Sequence, residues 1–226
     1  MNPLKEIFYG YLRNKFKGCD SVLELGCGYS SYLEHMRVPY AVGVDGWAPA
    51  VEKSKEKGTH QKYIVSDIMD VEFPEKSFDA VLSCETLEHL TETDAEIMLK
   101  RMERWARKKV IITVPNEPRG LEKIDKSLLS SEGYDRYNNL GLMDHNSAWT
   151  VRELENRGFT VKGFKGFYQL RSTHHRERGR FTKMLWYATF PLTWLFFPSL
   201  GTQLIAVKEI TKTQPKSGTP AETPHA

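Results

Sequence analysis

The sequence predicts an α/β fold, a doubly wound and mostly parallel seven-stranded sheet with an antiparallel edge strand. Three observations predict it. First, short runs rich in Val, Ile and Leu recur: "SVLEL" (21–25), "YAVGVD" (40–45), "KYIVSD" (62–67), "FDAVLSC" (78–84) and "KVIITVP" (109–115). Near-continuous apolar runs of this length suit strands buried on both faces of a parallel sheet. Second, helical patterns alternate with these runs, which is the signature of βαβ units. Third, the pattern changes after Gly158. There "FTVKGFKGFYQL" (159–170) and "TQLIAVKEI" (202–210) read as strands with no clear crossover between them, so they are expected to pair antiparallel at the sheet edge.

The elements follow in order. Leu4, Ile7, Phe8, Tyr11, Leu12 and Phe16 fall at helical spacing over residues 3–16, with basic residues on the far side. The first strand stops at Gly26-Cys27-Gly28, and a helix-like pattern starts a few residues later. Over 93–106, Thr93 and Glu96 can form a capping box, and Ile97, Met98, Met102 and Trp105 mark one face. Over 150–157, Thr150 and Glu153 can cap the start, and Gly158 can end the helix in the left-handed conformation. The 226 residues fit one domain with a sizeable core and are too few for two of ordinary size. That domain is expected to span 1–210, with a substrate-side insertion at about 171–200. Residues 211–226 hold no large apolar side chain and three prolines, and are expected to be a disordered tail.

Composition excludes some classes. The net charge is +3, from 32 basic and 29 acidic residues. A dedicated nucleic-acid binder is usually more lopsided. The three cysteines, Cys19, Cys27 and Cys84, fit no zinc or haem spacing and read as reduced thiols of a cytoplasmic protein. The N-terminal stretch carries charges throughout and lacks the apolar core of a secretory signal. No run offers the ~20 apolar residues of a membrane span.

Open α/β sheets bind ligands at the carboxyl ends of their strands, beside the point where strand order reverses. Gly26 and Gly28 close the first strand there and let a ligand lie against the main chain. A dinucleotide fingerprint would place a third glycine where Ser31 stands. Glu24, two residues before Gly26, would repel a pyrophosphate and suit a cationic ligand. Asp45 closes the second strand, nineteen positions after Gly26. It can accept hydrogen bonds from both hydroxyls of a ribose, which supports an adenosine-type ligand without choosing between classes. Asp67 closes the third strand and is followed by apolar Ile68 and Met69, a polar edge and a greasy face for an adenine.

With "ELGCG", "VGVD", "SD" and "FDAVLSCETLEHL" in this order, the chain resembles the class I S-adenosylmethionine-dependent methyltransferases, type 11-like, over roughly residues 15–115. The resemblance implies a Rossmann-like fold and S-adenosylmethionine as cofactor. It implies that Glu24, Gly26, Cys27 and Gly28 line the methionine part and that Asp45, with Gly46 after it, holds the ribose. Asp67 and Ile68 would frame the adenine, and Cys84 and Glu85 would lie beside the sulfonium. One departure is that many members have a further glycine at Tyr29-Ser30, where this chain has none.

Methyl transfer from a sulfonium is an in-line displacement on an already activated carbon. Placement of the nucleophile and exclusion of water matter most. A base is needed only where the nucleophile must lose a proton. His89, after the fourth strand, is a candidate base or orienting group; the favoured alternative is that it packs at a helix start and bonds to backbone. His145, in the long connection after the fifth strand, is the second candidate, and its alternative is a surface-loop histidine. No His-x-x-x-His or paired-cysteine spacing occurs, and "VPNEP" offers only Asn116 and Glu117, so no metal requirement is expected. Residues 171–200 pass from basic (Arg171, Arg176, Arg178, Arg180, Lys183) to aromatic (Trp186, Tyr187, Phe190, Trp194, Phe196, Phe197). Such a segment suits a peripheral contact with the inner membrane surface, or a helix and loop packed on the sheet. The expected acceptor is small or lipid-linked, with oxygen favoured and nucleic acid disfavoured. The alternatives are a nicotinamide-dependent reductase and a non-catalytic nucleoside-binding protein.

Overall fold

The computed structural model describes residues 3–116, 145–167, 185 and 188–210. Seven strands, β1 (Ser21–Leu25), β2 (Tyr40–Asp45), β3 (Lys62–Val65), β4 (Phe78–Cys84), β5 (Ala106–Pro115), β6 (Thr160–Phe167) and β7 (Gly201–Glu209), form one sheet in the order β3-β2-β1-β4-β5-β7-β6. The first five pair parallel, and β7 runs antiparallel to both β5 and β6. The expected fold class is therefore borne out, with the reversed strand one place in from the edge. Because β1 lies between β2 and β4, strand order reverses beside Gly26, where a crevice opens in sheets of this kind.

Alternation along the strands divides two cores. Leu23, Leu25, Val42, Val44, Val81, Val110, Ile112 and Val114 face one layer, which holds α3 (Glu92–Trp105) and α4 (Val151–Asn156) through Met98, Met102, Trp105 and Leu154. Val22, Ala41, Ala80, Leu82, Ile111, Ile205 and Val207 face the other, covered by Phe8, Leu12 and Phe16 on and just after α1 (Pro3–Lys15) and by Phe190 at the start of α5 (Phe190–Leu195). Each fully buried Leu or Met here contributes about 1.5–3 kcal/mol over leaving it exposed. Helix α2 (Ala48–Lys57) joins β2 to β3 and stops at Gly58 in the left-handed region.

Several elements differ from the expected ones. Helix α3 is capped by Thr91, whose hydroxyl accepts from the Asp94 amide, rather than by Thr93. Ile97, expected on the same face as Met98, Met102 and Trp105, is 40% exposed, while those three are fully buried. The helical pattern after β1 is realised as one 3₁₀ turn, Tyr32–His35, capped by Ser31. The capping box of Thr150 and Glu153 forms as expected, and Gly158 takes a φ of 84°. Within 171–200, only 185 and 188–200 fall among the described residues; the tail and the end of the 159–170 run lie outside them.

Candidate functional site at the strand ends

The loop after β1 is built on main-chain bonds. The Gly26 and Cys27 amides both donate to the Val44 carbonyl, at 2.8 and 3.0 Å, which turns the chain sharply across β2. Gly26 has φ 72° and Gly28 φ 51°. Their bare Cα atoms serve different ends. A Cβ on Gly26 would stand 2.2 Å from Thr86 Oγ1, so the space is taken by the protein's own β4 end. A Cβ on Gly28 would meet nothing within 4 Å, so that stretch of backbone faces open space.

Asp45 ties this loop to the next. One carboxylate oxygen accepts from the Gly28 amide and the other from the Trp47 amide, each at 2.8 Å. Each oxygen has a second lone pair, so the carboxylate can still accept hydrogen bonds from a diol. Gly46 follows Asp45 at the tip of β2, beside the Ser66 and Asp67 backbone, where a Cβ would make only ordinary contacts at 3.8–3.9 Å. Asp67 is exposed and takes the Met69 amide on one oxygen at 2.8 Å. Ile68 turns inward, 7% exposed, into the core.

Glu24 is 1% exposed. Its carboxylate accepts from Ser31 Oγ at 2.5 Å and bonds His60 Nε2 at 2.7 Å. A carboxylate is acceptor-only, so His60 donates from Nε2. His60 reaches it across Gly43, where a Cβ would stand 3.1 Å from the imidazole and 3.0 Å from Cys27 Sγ. His60 was not singled out in the sequence. Its only signal is indirect: a glycine interrupts the apolar strand β2 at the position paired with Glu24.

A polar group gathers at the ends of β4, β5 and β7. Glu85 has φ 51°, a left-handed conformation uncommon outside glycine. Its Oε1 accepts from Thr113 Oγ1 at 3.2 Å and from Gln203 Nε2 at 2.7 Å. Tyr32, beside them, has its hydroxyl pKa raised by burial and by Cys84 and Glu85, with a hydrogen bond to Gln203 opposing. Burial and the neighbouring Glu24 charge push the Cys84 thiol well up, and burial with Glu24 and Asp45 does the same to Cys27. The orphaned buried oxygens of Gln203 and Thr202 also lie on these strand ends. An open backbone edge at Gly28, a diol-ready carboxylate at Asp45 and the further carboxylates of Glu24 and Glu85 fit a cationic nucleoside.

The two candidate histidines come together. His89 ends a 3₁₀ turn, Leu87–His89, and its ring centroid lies 5.1 Å from that of His145. Asn116, in contrast, is used structurally: its side-chain amide donates to the Ser199 and Gly201 carbonyls at 2.8 and 2.6 Å. Two clefts among the described residues are lined by other side chains, one by Glu92, Trp149 and Arg157 and one by Met36 and Lys57.

Residues 23–114 match the family model described as a methyltransferase domain, so the resemblance read from the sequence is borne out over that segment. Methyltransferases of Mycobacterium tuberculosis and Mycobacterium bovis, named as uncharacterised, are 32% identical over 80 residues, covering 34% of this chain. The chain spans about two-fifths (41%) of the length of these curated relatives. Among solved structures, a SAM-dependent methyltransferase from Archaeoglobus fulgidus superposes with a TM-score of 0.55 at 19% identity, over 91% of this chain and 94% of that one. A magnesium protoporphyrin IX methyltransferase from Synechocystis, with bound SAH, does so with a TM-score of 0.52 at 14% identity, over 92% and 84%. These likenesses share the fold of the present chain.

Proposed function

We propose that this chain, which carries a methyltransferase domain across residues 23–114, binds S-adenosylmethionine at its strand ends and methylates a small or amphiphilic acceptor, at oxygen. The observation that carries the reading is the Asp45 carboxylate, which fixes both flanking loops through amides while keeping lone pairs for a ribose. In this reading Gly26, Cys27 and Gly28 form the loop over which the methionine part lies, and Gly46 and Asp67 flank the adenine, while the Ile68 side chain backs that turn from the core. Glu24, Cys84 and Glu85 lie towards the sulfonium. Buried or half-buried carboxylates there favour a positive centre over a pyrophosphate. The cofactor supplies an activated methyl group; the protein's residues place the acceptor and exclude water.

The polar group of Glu85, Gln203 and Tyr32 supports an acceptor that offers hydroxyls. His89 and His145 are near enough to each other to hold such an acceptor or take its proton. Leu192, Leu195, Phe196 and Phe197 are 41–67% exposed on and after α5, which supports an amphiphilic acceptor met at a membrane surface. Among the described residues no helix is long and apolar enough to cross a membrane.

Calorimetry of the full chain with S-adenosylhomocysteine, and separately with NADH, tests the cofactor. Saturable binding of the first is expected; binding of NADH alone would overturn the reading. A cell extract with labelled methyl donor then tests the acceptor, with label expected in small molecules of the aqueous or the organic phase. Label confined to macromolecules would reject it.

A further inference from the structure

We propose that Glu88, His89 and His145 form a binding site for one divalent first-row transition-metal ion at the edge of the strand-end crevice. Chain spacing alone gave no metal pattern, because His145 is 56 residues from His89. The fold closes that gap. One ligand atom from each of the three side chains lies within 4.8 Å of the others.

The backbone holds this arrangement. The Asn146 and Ser147 amides both donate to the Glu88 carbonyl, at 2.8 and 3.1 Å. Asn146 Nδ2 donates to the His89 carbonyl at 2.8 Å, and Ser147 Oγ to the Leu87 carbonyl at 3.0 Å. Four hydrogen bonds thus fasten the two residues after His145 to the turn that carries Glu88 and His89. Ligands on a pinned backbone lose little freedom when an ion arrives.

Geometry and donor chemistry agree. Ligands at ~2.0–2.1 Å from a tetrahedral ion sit about 3.4 Å apart. From a triangle no wider than 4.8 Å, each donor atom closes by under about 1 Å, within reach of side-chain torsions. Two imidazoles and one carboxylate suit zinc, iron, cobalt or manganese; calcium and magnesium prefer oxygen alone. Glu88 is 2% exposed, and a carboxylate so removed from water gains strongly from an adjacent cation. Glu85, three residues earlier, adds negative charge at the same strand end.

Three protein ligands leave a coordination position for water or an acceptor oxygen. Resting on the methyl-transfer reading, an acceptor hydroxyl in that position would be both held and made more acidic. Metal binding itself does not depend on that reading.

The test uses the full chain, stripped with chelator and desalted, with no methyl donor present. Co²⁺ is titrated and followed by visible absorption, and Zn²⁺ by calorimetry. One equivalent is expected to bind saturably, with the d–d bands of a His-ligated site. Partners outside the ligand set alone are commonly worth about 10–100-fold in affinity, so His145→Ala, His89→Ala and Glu88→Gln should each weaken binding at least tenfold. Circular dichroism checks that each variant folds, and the isosteric Glu88→Gln stands if a histidine variant does not. His174→Ala/His175→Ala removes the adjacent histidine pair elsewhere in the chain and should leave binding unchanged. No saturable binding, binding indifferent to all three ligand variants, or binding lost with His174 and His175 would overturn the site. Calorimetry with S-adenosylhomocysteine is run apart. Its failure with metal binding intact would remove only the methyl-transfer reading.

Discussion

Gly26→Ala perturbs the site where the loop after β1 meets the end of β4. The added Cβ would stand 2.2 Å from Thr86 Oγ1, 2.5 Å from Cγ2 and 2.9 Å from Cβ. The last contact is to a carbon fixed by the backbone, so rotating the threonine does not relieve all three. Thr86 is also anchored, its hydroxyl donating to the Cys84 carbonyl at 3.0 Å. Overpacking of this kind costs about 1–3 kcal/mol. The φ of 72° adds about 1–2 kcal/mol for a residue with a Cβ. The single variant should therefore lose about 2–5 kcal/mol in urea unfolding. Thr86→Gly removes every clashing atom and should lose about 1–2 kcal/mol through one hydrogen bond and added chain entropy. The two changes together should lose about 1–3 kcal/mol less than their sum, because only the dihedral strain at Gly26 persists. Additive losses would refute the claim that Gly26 is glycine to admit Thr86, and would point to its dihedral angle alone.

His60→Ala leaves the Glu24 carboxylate, 1% exposed, with Ser31 as its remaining hydrogen-bond donor among the described residues. Losing a hydrogen bond to a buried charge should cost about 2–4 kcal/mol, a fall in Tm of about 4–16 °C by calorimetry; a change below 2 °C would show the pair to be incidental. Burial comes first among the causes that raise the pKa of Cys19, Cys27 and Cys84. At pH 8 few thiolates form, so a disulfide reagent should label all three slowly in the folded protein and rapidly in urea; one fast thiol under native conditions would contradict that burial.

How legible the fold was depended on the range of the signal. Strands β1, β2 and β4 were readable to the residue, because a parallel strand covered on both faces is a local run of apolar side chains. The ends of α3 were less so: Thr91 and Thr93 are both good cap residues, and the helix starts at the earlier one, whose hydroxyl takes the Asp94 amide. The crossover after β1 reads as helical in its apolar spacing, yet Ser31 caps a single 3₁₀ turn there before Pro39 and β2. Asp45, Gly26 and Gly28 could be proposed from sequence because each closes a strand. His60 could not, since its partner is 36 residues away on another element.

The same distinction separates the two halves of the site. The half that faces a nucleoside is made by successive strand ends, so its residues follow one another in order along residues 24–68. The half that would face an acceptor is made by pairs that only the fold joins. Gln203 reaches Glu85 across 118 positions, because β7 enters the sheet backwards between β5 and β6 and presents its first residues where β5 presents its last. His145 meets His89 because Asn146 and Ser147 bond the turn after β4. A reversed strand beside the last parallel one is thus the device that brings side chains from the end of the chain to the crevice. Changes in the segment before α4 should alter acceptor choice while leaving nucleoside affinity in place, since the bonds that fix the Asp45 carboxylate come from the Gly28 and Trp47 amides.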